Sequence, residues 1–307
     1  MRPLPVIAIL FAGASLLSCN KDVKDFITLY FDVNADAGLP RLDATGEEAV
    51  LPAGHVAVSP LQVRDIAVQY IELVPTEATP YKGGELVFKA PETYITGSLA
   101  IDFDSLLTGT AGSTVFTVNL RKLSPGTYAY ARVGIAYLSY DIPLNISGLP
   151  GAEYLTDQQA TFASFLGFNT YIREVQINQL TKVINDAKTG GYWVLETALE
   201  PPLDGENALF TWQVPQESLT VVNILSGTSP VPPGQSVITG AFDEPLVVSE
   251  EEERDLRITF TLSVNGIFEF NDENSNGAWD LHADNIYESE PIIDFGIRGL
   301  RPSFVFE

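Results

Sequence analysis

The chain has 307 residues and is strongly acidic, with 40 Asp and Glu against 17 Lys and Arg and a formal net charge of −23. Because 45% of the residues are apolar, the chain can bury a substantial core, which argues against disorder. Nucleic-acid binding is excluded, because a phosphate-binding surface needs clustered Lys and Arg and no basic stretch of this sequence outweighs its acidic neighbours. One Cys and two His also exclude a disulfide scaffold and a Cys/His zinc site.

The N-terminus has the pattern of a signal peptide. Arg2 supplies a positive charge, and the apolar segment 6–17 is too short to span a bilayer comfortably. The segment ends in LLSC at 16–19, which resembles the lipobox of bacterial lipoproteins, where a small residue precedes the acylated Cys. We therefore predict a signal peptide at 1–18 and lipidation of Cys19. The alternative is a buried N-terminal segment with an incidental free Cys.

Residues 19–25 are predicted to form a lipidated tether that anchors the protein in the outer membrane. Asn20 stands where lipoproteins retained in the inner membrane have Asp. The charged run KDVKD at 21–25 also resembles the export signals of surface-exposed lipoproteins in some Gram-negative bacteria, although a plain tether is the alternative. Several acyl chains would give firm anchoring. We expect the protein on the periplasmic or cell-surface face of that membrane.

Alternation of apolar and polar residues dominates the remaining chain and predicts strands. In chain order the predicted strands are 26–33, 65–74, 85–90, 98–103, 113–120, 128–140, 192–196, 208–214, 219–225, 236–242, 256–270 and 292–300. Residues 171–187 favour a β-hairpin over a helix. Short strands with Gly and Pro between them predict an all-β fold, an antiparallel β-sandwich built as one large unit or two packed ones.

One short helix is predicted within this β-rich chain. Thr156 and Gln159 have the spacing of a capping box, which predicts a helix over 157–165. Residues 141–157, before this helix, are the best candidate for a boundary between two units. We expect a β-sandwich region at 26–145 and a second β region at 146–307, with the alternative that both pack as a single domain.

Residues 272–284 contain the pattern D-x-N-x-N-G. With Asp272 as position one, the oxygen-bearing side chains at positions three, five and nine are those of Asn274, Asn276 and Asp280. This pattern resembles the calcium loop of EF-hands and dockerin-like repeats, in which a Gly permits the turn and the carbonyl of position seven, here Ala278, adds a ligand. Hard oxygen ligands of this kind suit calcium.

The loop departs from a complete EF-hand at its end. Position twelve is Ala283 rather than an acid, and the nearest acid is Asp284. The preceding residues 267–270 predict a strand rather than an entering helix. We therefore expect a variant calcium loop closed by Asp284, with an Asx-rich β-turn that binds no metal as the alternative.

Signals for catalysis are weaker. His55 and His282 have no G-x-S-x-G motif near them and are interpreted as ordinary surface residues. A carboxylate pair for glycan hydrolysis could be formed by chance among 40 acids. Trp193, Trp212 and Trp279 could form a sugar-stacking platform, but we interpret the first two as core or half-buried strand residues and expect Trp279 to be partly exposed.

Three segments resemble the MbnP-like family of exported bacterial proteins associated with copper handling. They are ITLYFDVN at 27–34, VSPLQVRDIAVQYIELV at 58–74 and LSPGTYAYARVGIAY at 123–137, and Gly191-Tyr192-Trp193 lies where the family has an aromatic Gly-Tyr segment. The resemblance implies a β-sandwich-like exported binding protein. The predicted strands of the second half have no His for the family's metal-binding positions, so it implies no copper ligand here.

Taken together, the sequence predicts a lipid-anchored extracytoplasmic protein that acts as a binding or structural accessory and is stabilised by calcium. Its partners are expected to be the membrane, through the lipid anchor, and an unknown surface protein or glycan. A glycan-processing enzyme with a carboxylate pair and an MbnP-like copper-binding protein are the alternatives. A non-enzymatic role is favoured over catalysis.

Overall fold

The strands of the protein are connected by loops and a few three-residue 3₁₀ helices. The computed structural model describes residues 27–95, 97–149, 152–197 and 208–307, so the predicted signal peptide, Cys19 and the tether at 19–25 lie outside the described residues. None of the helices in these ranges is long and apolar enough to cross a membrane.

The strands, in chain order, are β1 (Thr28–Asp36), β2 (His55–Val58), β3 (Gln62–Val74), β4 (Glu85–Lys89), β5 (Glu92–Thr93), β6 (Ala100–Asp102), β7 (Leu107–Gly109), β8 (Ser113–Asn119), β9 (Gly126–Leu149), β10 (Ala152–Phe165), β11 (Asn169–Gln176), β12 (Thr181–Thr189), β13 (Tyr192–Thr197), β14 (Ala208–Gln213), β15 (Val237–Val248), β16 (Leu256–Ser263), β17 (Phe268–Asn271), β18 (Trp279–His282), β19 (Ile292–Asp294) and β20 (Leu300–Phe306). The 3₁₀ helices are Phe103–Ser105, Leu120–Lys122, Gln216–Ser218 and Ile286–Glu288.

A nine-stranded sheet is the centre of the fold, in the order β14-β13-β10-β9-β3-β4, with β15 and β18 also paired to β9 and β7 to β3. The 24-residue strand β9 connects most of it, because different parts of its length pair with β15, β3, β10 and β18. A second sheet has the order β20-β16-β1-β8, and two smaller sheets have the orders β12-β11-β6-β5 and β19-β17-β2. The predicted all-β sandwich is therefore confirmed.

One large hydrophobic core lies between the sheets. Phe31 of β1 is fully buried and lies 5.8 Å from the ring of Phe260 on β16 and 6.1 Å from that of Phe116 on β8. Val133 of β9 and Phe162 of β10 belong to the same cluster of buried side chains. The alternating apolar residues of the sequence supply these inward faces, since successive side chains of a strand point to opposite sides.

Strands from the two predicted regions, 26–145 and 146–307, lie side by side. β1 pairs in parallel with β16, from Leu29 beside Leu256 to Asp36 beside Ser263. Strand β9 itself runs through the boundary at residue 145. The two regions therefore share sheets and a core.

The helix predicted over 157–165 is wrong, because these residues belong to β10. The pairing of β10 with β9 shifts between Leu155 and Gln158, and Asp157 has a φ of +55° at this bulge. At this bulge the Asp157 amide donates to the side chain of Asn145 on β9, at 3.2 Å from Oδ1, in place of a ladder hydrogen bond. The hairpin predicted over 171–187 is confirmed by the pairing of β11 with β12.

Two further predicted strands are largely wrong. In 219–225 only Asn223 forms an isolated bridge, and in 292–300 the backbone is in a strand only at 292–294 and again at residue 300. The buried carboxylate of Asp294 accepts hydrogen bonds from the amides of Thr220 and Gly296. Side-chain acceptors therefore replace a strand partner for these two apolar segments.

Candidate metal centre

The candidate calcium loop connects two strands. It begins after β17 and ends at β18, which confirms that a strand rather than a helix leads into it. The Asp272 amide donates to the carbonyl oxygen of Gly54 at 2.9 Å, and the Asn271 amide donates to that of Pro291 at 3.0 Å. The start of the loop is thus attached to two neighbouring chain segments.

The first half of the loop is a turn made by side-chain oxygens. Asp272 accepts from the amides of Asn276 at 3.0 Å and Gly277 at 2.9 Å, and Asn274 Oδ1 accepts from the Asn276 amide at 3.0 Å. Asn276 Oδ1 accepts from the Ala278 amide at 2.8 Å. Gly277 has a φ of +78°, a conformation that most residues avoid, which explains a Gly at this position.

Asp280 lies at the centre of the same cluster. Its Oδ2 accepts hydrogen bonds from the Asn276 side-chain amide at 2.8 Å and from that of Asn274, and its Oδ1 accepts from the Tyr154 hydroxyl at 2.6 Å. Partial burial acts to raise the pKa of Asp280, but these hydrogen bonds outweigh it and the pKa is lowered. Asp280 is therefore held as a carboxylate.

Glu290 is a further acid at the loop that the sequence pattern did not indicate. It is 6% exposed, and its carboxylate accepts from the amides of Glu273 at 2.9 Å and Asp280 at 3.0 Å. Burial raises the pKa of Glu290, and the negative charges of Asp280 and Asp272 raise it further against the hydrogen bonds from the two amides. Glu290 is separated from Glu273 by 17 residues, which is why a search within a short motif missed it.

Asp284 is placed differently from the other predicted ligands. It lies two residues after the end of β18 and its side chain is exposed. Hydrogen bonds join Asp272, Asn274, Asn276 and Asp280 into one cluster, whereas no hydrogen bond joins the Asp284 carboxyl to it in the described ranges.

This cluster offers oxygen donors from carboxylates and amides. Among the described residues, no group of three or more His, Cys, Asp or Glu side chains is arranged to hold a metal ion. Two of the four side chains here are Asn, and calcium accepts amide oxygens as readily as carboxylates. The amide oxygens of Asn274 and Asn276 accept from the backbone amides of Asn276 and Ala278, so their NH2 groups point at Asp280, and both side chains must rotate before they offer an oxygen to a cation there. The cluster therefore contains the oxygen-bearing side chains of the calcium motif, with both Asn amides turned to donate to Asp280.

The two histidines lie apart from these donors. His55 is the first residue of β2, and its Nδ1 lies 2.7 Å from Glu269 Oε1. His282 ends β18, and its Nε2 lies 3.4 Å from Glu288 Oε2. Each histidine thus faces one carboxylate.

The three tryptophans of the chain line one cavity of about 180 Å³ behind the loop. Trp193 and Trp279 form its inner wall and are 0% and 1% exposed, so the expectation that Trp279 is partly exposed is wrong. The reason is that Trp279 begins β18, and its Nε1 donates to the carbonyl oxygen of Glu290 at 2.9 Å. Trp212 of β14 is half-buried, as predicted.

A second cavity of about 610 Å³ lies between the segment after the 3₁₀ helix Gln216–Ser218 and the Pro-rich loop 230–235. Among the residues that line it, Glu217 is the ionisable one, and the remainder are small, apolar or amide-bearing. Among the residues that line the cavity beside the tryptophans, Glu290 is the ionisable one. Each cavity therefore presents one carboxyl.

Comparisons with known proteins give no relative. No protein-family model, curated protein or solved structure matches this chain.

Proposed function

We propose that the protein is a lipid-anchored extracytoplasmic binding or structural accessory protein whose β-sandwich is stabilised by calcium at the loop 272–280. The observation that carries the calcium part is the hydrogen-bonded cluster of Asp272, Asn274, Asn276 and Asp280, with Glu290 against the same loop. The lipid anchor is supported by the sequence at 16–19.

The charge of the cluster favours a bound cation. Two acids lie on the loop, Asp272 and Asp280, and a third, Glu290, lies against it. The charges of Asp272 and Asp280 raise the pKa of Glu290. Repulsion between carboxylates destabilises the folded state unless a cation or a proton neutralises one of them. A divalent ion would neutralise two charges at once and hold β17 and β18 together at the end of the sheet.

Glu290 is the better candidate for the distal ligand than Asp284. A calcium loop needs an acid that closes the coordination shell, commonly with both oxygens. The Glu290 carboxylate is already turned toward the loop, whereas Asp284 is exposed beyond β18. We therefore assign Asp272, Asn274, Asn276, Asp280 and Glu290 as the side-chain ligands, with the Ala278 carbonyl completing the shell.

Thermal unfolding with and without calcium tests this proposal. At a calcium concentration about 100 times the Kd, binding to the folded state alone adds about 2.7 kcal/mol, equivalent to about 5–10 °C in Tm. We expect this shift for the full-length protein and its loss in Asp280→Asn. Asp43→Asn is the matched control, because Asp43 accepts backbone hydrogen bonds in a turn elsewhere. Equal melting temperatures in calcium and in chelator would reject the calcium site.

The anchor is tested separately by acylation. Labelled palmitate should be incorporated into the wild type in a Gram-negative host and not into Cys19→Ser, which removes the only thiol of the chain. Incorporation into Cys19→Ser would contradict the anchor without affecting the calcium result.

The two alternative functions have no comparable support among the described residues. Hydrolysis of a glycoside needs two carboxylates on either side of one bond. The cavities at Glu217 and Glu290 each present one. A cavity of about 240 Å³ has both Glu250 and Glu252, but hydrogen bonds from Arg254 lower the pKa of Glu252 to about 2, so it cannot serve as the general acid. His55 and His282 each face a carboxylate of their own, which gives no grouped nitrogen ligands for copper.

A further inference from the structure

An aromatic pair lies at the surface beside the cavity of about 180 Å³. The rings of Trp212 and Tyr287 meet edge to face with 4.8 Å between their centroids. Trp212 lines the cavity, and Tyr287 is 82% exposed. The pair therefore joins an exposed aromatic ring to one that lines the cavity.

The pair is held in place by secondary structure on both sides. Trp212 is in β14, the terminal strand of the central sheet, directly opposite Trp193 on β13. Tyr287 is in the short helix Ile286–Glu288, whose N-cap Asn285 accepts a hydrogen bond from the Tyr287 amide at 3.3 Å. Secondary structure therefore fixes the backbone at both residues, and the edge-to-face contact brings the two rings together.

The lining of the cavity sets the chemistry of an occupant. Val214, Pro215, Ile286 and Ile292 are apolar. The Glu290 carboxylate and the Gln213 NH2 group are already hydrogen-bonded within the protein, whereas the Ser289 hydroxyl accepts from the His282 amide and keeps its proton for a ligand. No Lys or Arg is among these described lining residues, and the chain is strongly acidic, so an anion is disfavoured. The volume is below the roughly 300–1,000 Å³ of pockets for drug-sized ligands, which points to one ring.

We propose that this cavity and the Trp212–Tyr287 pair bind one uncharged sugar ring of a glycan. A pyranose has an apolar C–H face that packs on an aromatic ring, whose face carries partial negative charge. Its hydroxyl groups can exchange hydrogen bonds with the polar groups of the lining. Trp193 and Trp279 have almost no exposed area and act as the rigid inner wall behind the pair.

This inference goes beyond the calcium-stabilised anchor and names a ligand class for the binding role. It requires neither acylation nor bound calcium. It does share Trp279 with the loop, through the hydrogen bond to Glu290. Titrations in calcium and in chelator therefore separate a failure of the sugar site from a failure of the metal site.

Intrinsic fluorescence gives a selective test, because all three tryptophans of the chain line this cavity. The full-length protein, kept in a detergent without a sugar headgroup, is titrated with methyl β-glucoside, methyl β-galactoside, N-acetylglucosamine and mannose. We expect a saturable change with at least one of these sugars, at a Kd on the order of 1 mM. Choline chloride is titrated in parallel, because aromatic cages also bind quaternary ammonium ions.

Variants of the exposed ring locate the site. Tyr287→Ala should weaken sugar binding about tenfold while leaving the fold intact, since the side chain is exposed. Tyr287→Phe keeps the ring and should bind as the wild type. Tyr94→Ala is the matched control, because Tyr94 is 69% exposed on another loop and should leave binding unchanged.

Three results would overturn the proposal. The first is no saturable change with any of the four sugars. The second is saturation by choline without saturation by a sugar, which would assign the cavity to cations. The third is sugar binding that Tyr287→Ala leaves unchanged, which would place the sugar elsewhere.

Discussion

Asp280 and Glu290 are joined by two hydrogen bonds, one donated by the backbone amide of each residue. The Asp280 amide donates to Glu290 Oε2, and the Glu290 amide donates to the Asp280 carbonyl oxygen, both at 3.0 Å. The chain therefore returns to the loop ten residues after leaving it. This return places an acid beside the candidate ligands that no local motif contains.

The first prediction distinguishes Glu290 from Asp284 as the acid that closes the calcium site. Glu290→Gln should weaken calcium binding about 10–100-fold, the effect typical of losing a group that holds or orients metal ligands. Asp284→Asn should bind calcium as the wild type, since its side chain is exposed away from the cluster. Calorimetric titration of the full-length proteins gives both affinities. The reverse order of the two variants would contradict the assignment.

The second prediction concerns pH dependence without calcium. Because the pKa of folded Glu290 is raised above its ordinary value of 4.5, the folded state binds this proton more tightly than the unfolded state. That contribution is fully present below 4.5 and is lost as the pH rises through the raised pKa. The wild type should therefore lose stability relative to Glu290→Gln over this window.

Urea unfolding between about pH 4 and pH 7 in calcium-free buffer measures this difference. Repeating the series with calcium provides the control, because a bound cation favours the charged carboxylate and should reverse the trend. Parallel curves for wild type and Glu290→Gln in calcium-free buffer would mean that Glu290 does not titrate differently on folding.

The third prediction concerns a buried ion pair that holds two loops to the central sheet. Arg132 and Glu72 lie 3.2 Å apart, and both side chains are 0% exposed. Arg132 also donates to the carbonyl oxygens of Thr79 and Pro80 in one loop, each at 3.0 Å, and to the Ser229 hydroxyl in another. Arg132→Leu should lower the free energy of unfolding by about 3–5 kcal/mol, because it leaves a buried carboxylate without its partner.

The matched control is Arg301→Leu. Arg301 pairs with Asp243 at 2.8 Å, but these side chains are 58% and 72% exposed. An exposed pair of this kind contributes about 1 kcal/mol or less. Urea unfolding should therefore show a much larger loss of unfolding free energy for Arg132→Leu than for Arg301→Leu. Equal losses of unfolding free energy would mean that burial does not determine how much an ion pair contributes.

The strand pattern was predictable because alternation is a property of the sequence itself. In β1 the alternating residues are buried as the pattern predicts, whereas most of β3 and all of β13 are buried on both faces and read as apolar runs. The bulge at Asp157 was not predictable, since it depends on the pairing with β9 and on the Asn145 side chain of that strand. Tertiary pairing with β9 therefore overrode a local helix signal.

The candidate site was predictable only in part. The four side chains from Asp272 to Asp280 follow a short motif, so their spacing indicated a common centre. Glu290 could not be identified in the same way, because its approach depends on how the segment after β18 returns to the sheet. The burial of Trp279 has the same cause, since packing against Trp193 follows from the pairing of β18 with β9.

The last prediction concerns the aromatic centre of the core. Phe162 of β10 is 0% exposed, and its ring lies between 5.1 and 5.6 Å from those of Tyr140, Trp193, Phe268 and Phe295. These neighbours belong to strands and connections of different sheets. Phe162→Ala should lower the free energy of unfolding by about 3–5 kcal/mol, because it removes buried area and leaves a cavity.

Two variants make this result specific to packing. Phe162→Leu keeps most of the volume and should cost less than Phe162→Ala, by the general tolerance of cores for similar-sized apolar residues. Tyr94→Ala removes an aromatic ring that is 69% exposed and should change stability by about 0.5 kcal/mol or less. Urea unfolding measures all three variants. A loss in Phe162→Ala no larger than that in Tyr94→Ala would mean that the sheets do not depend on this aromatic contact.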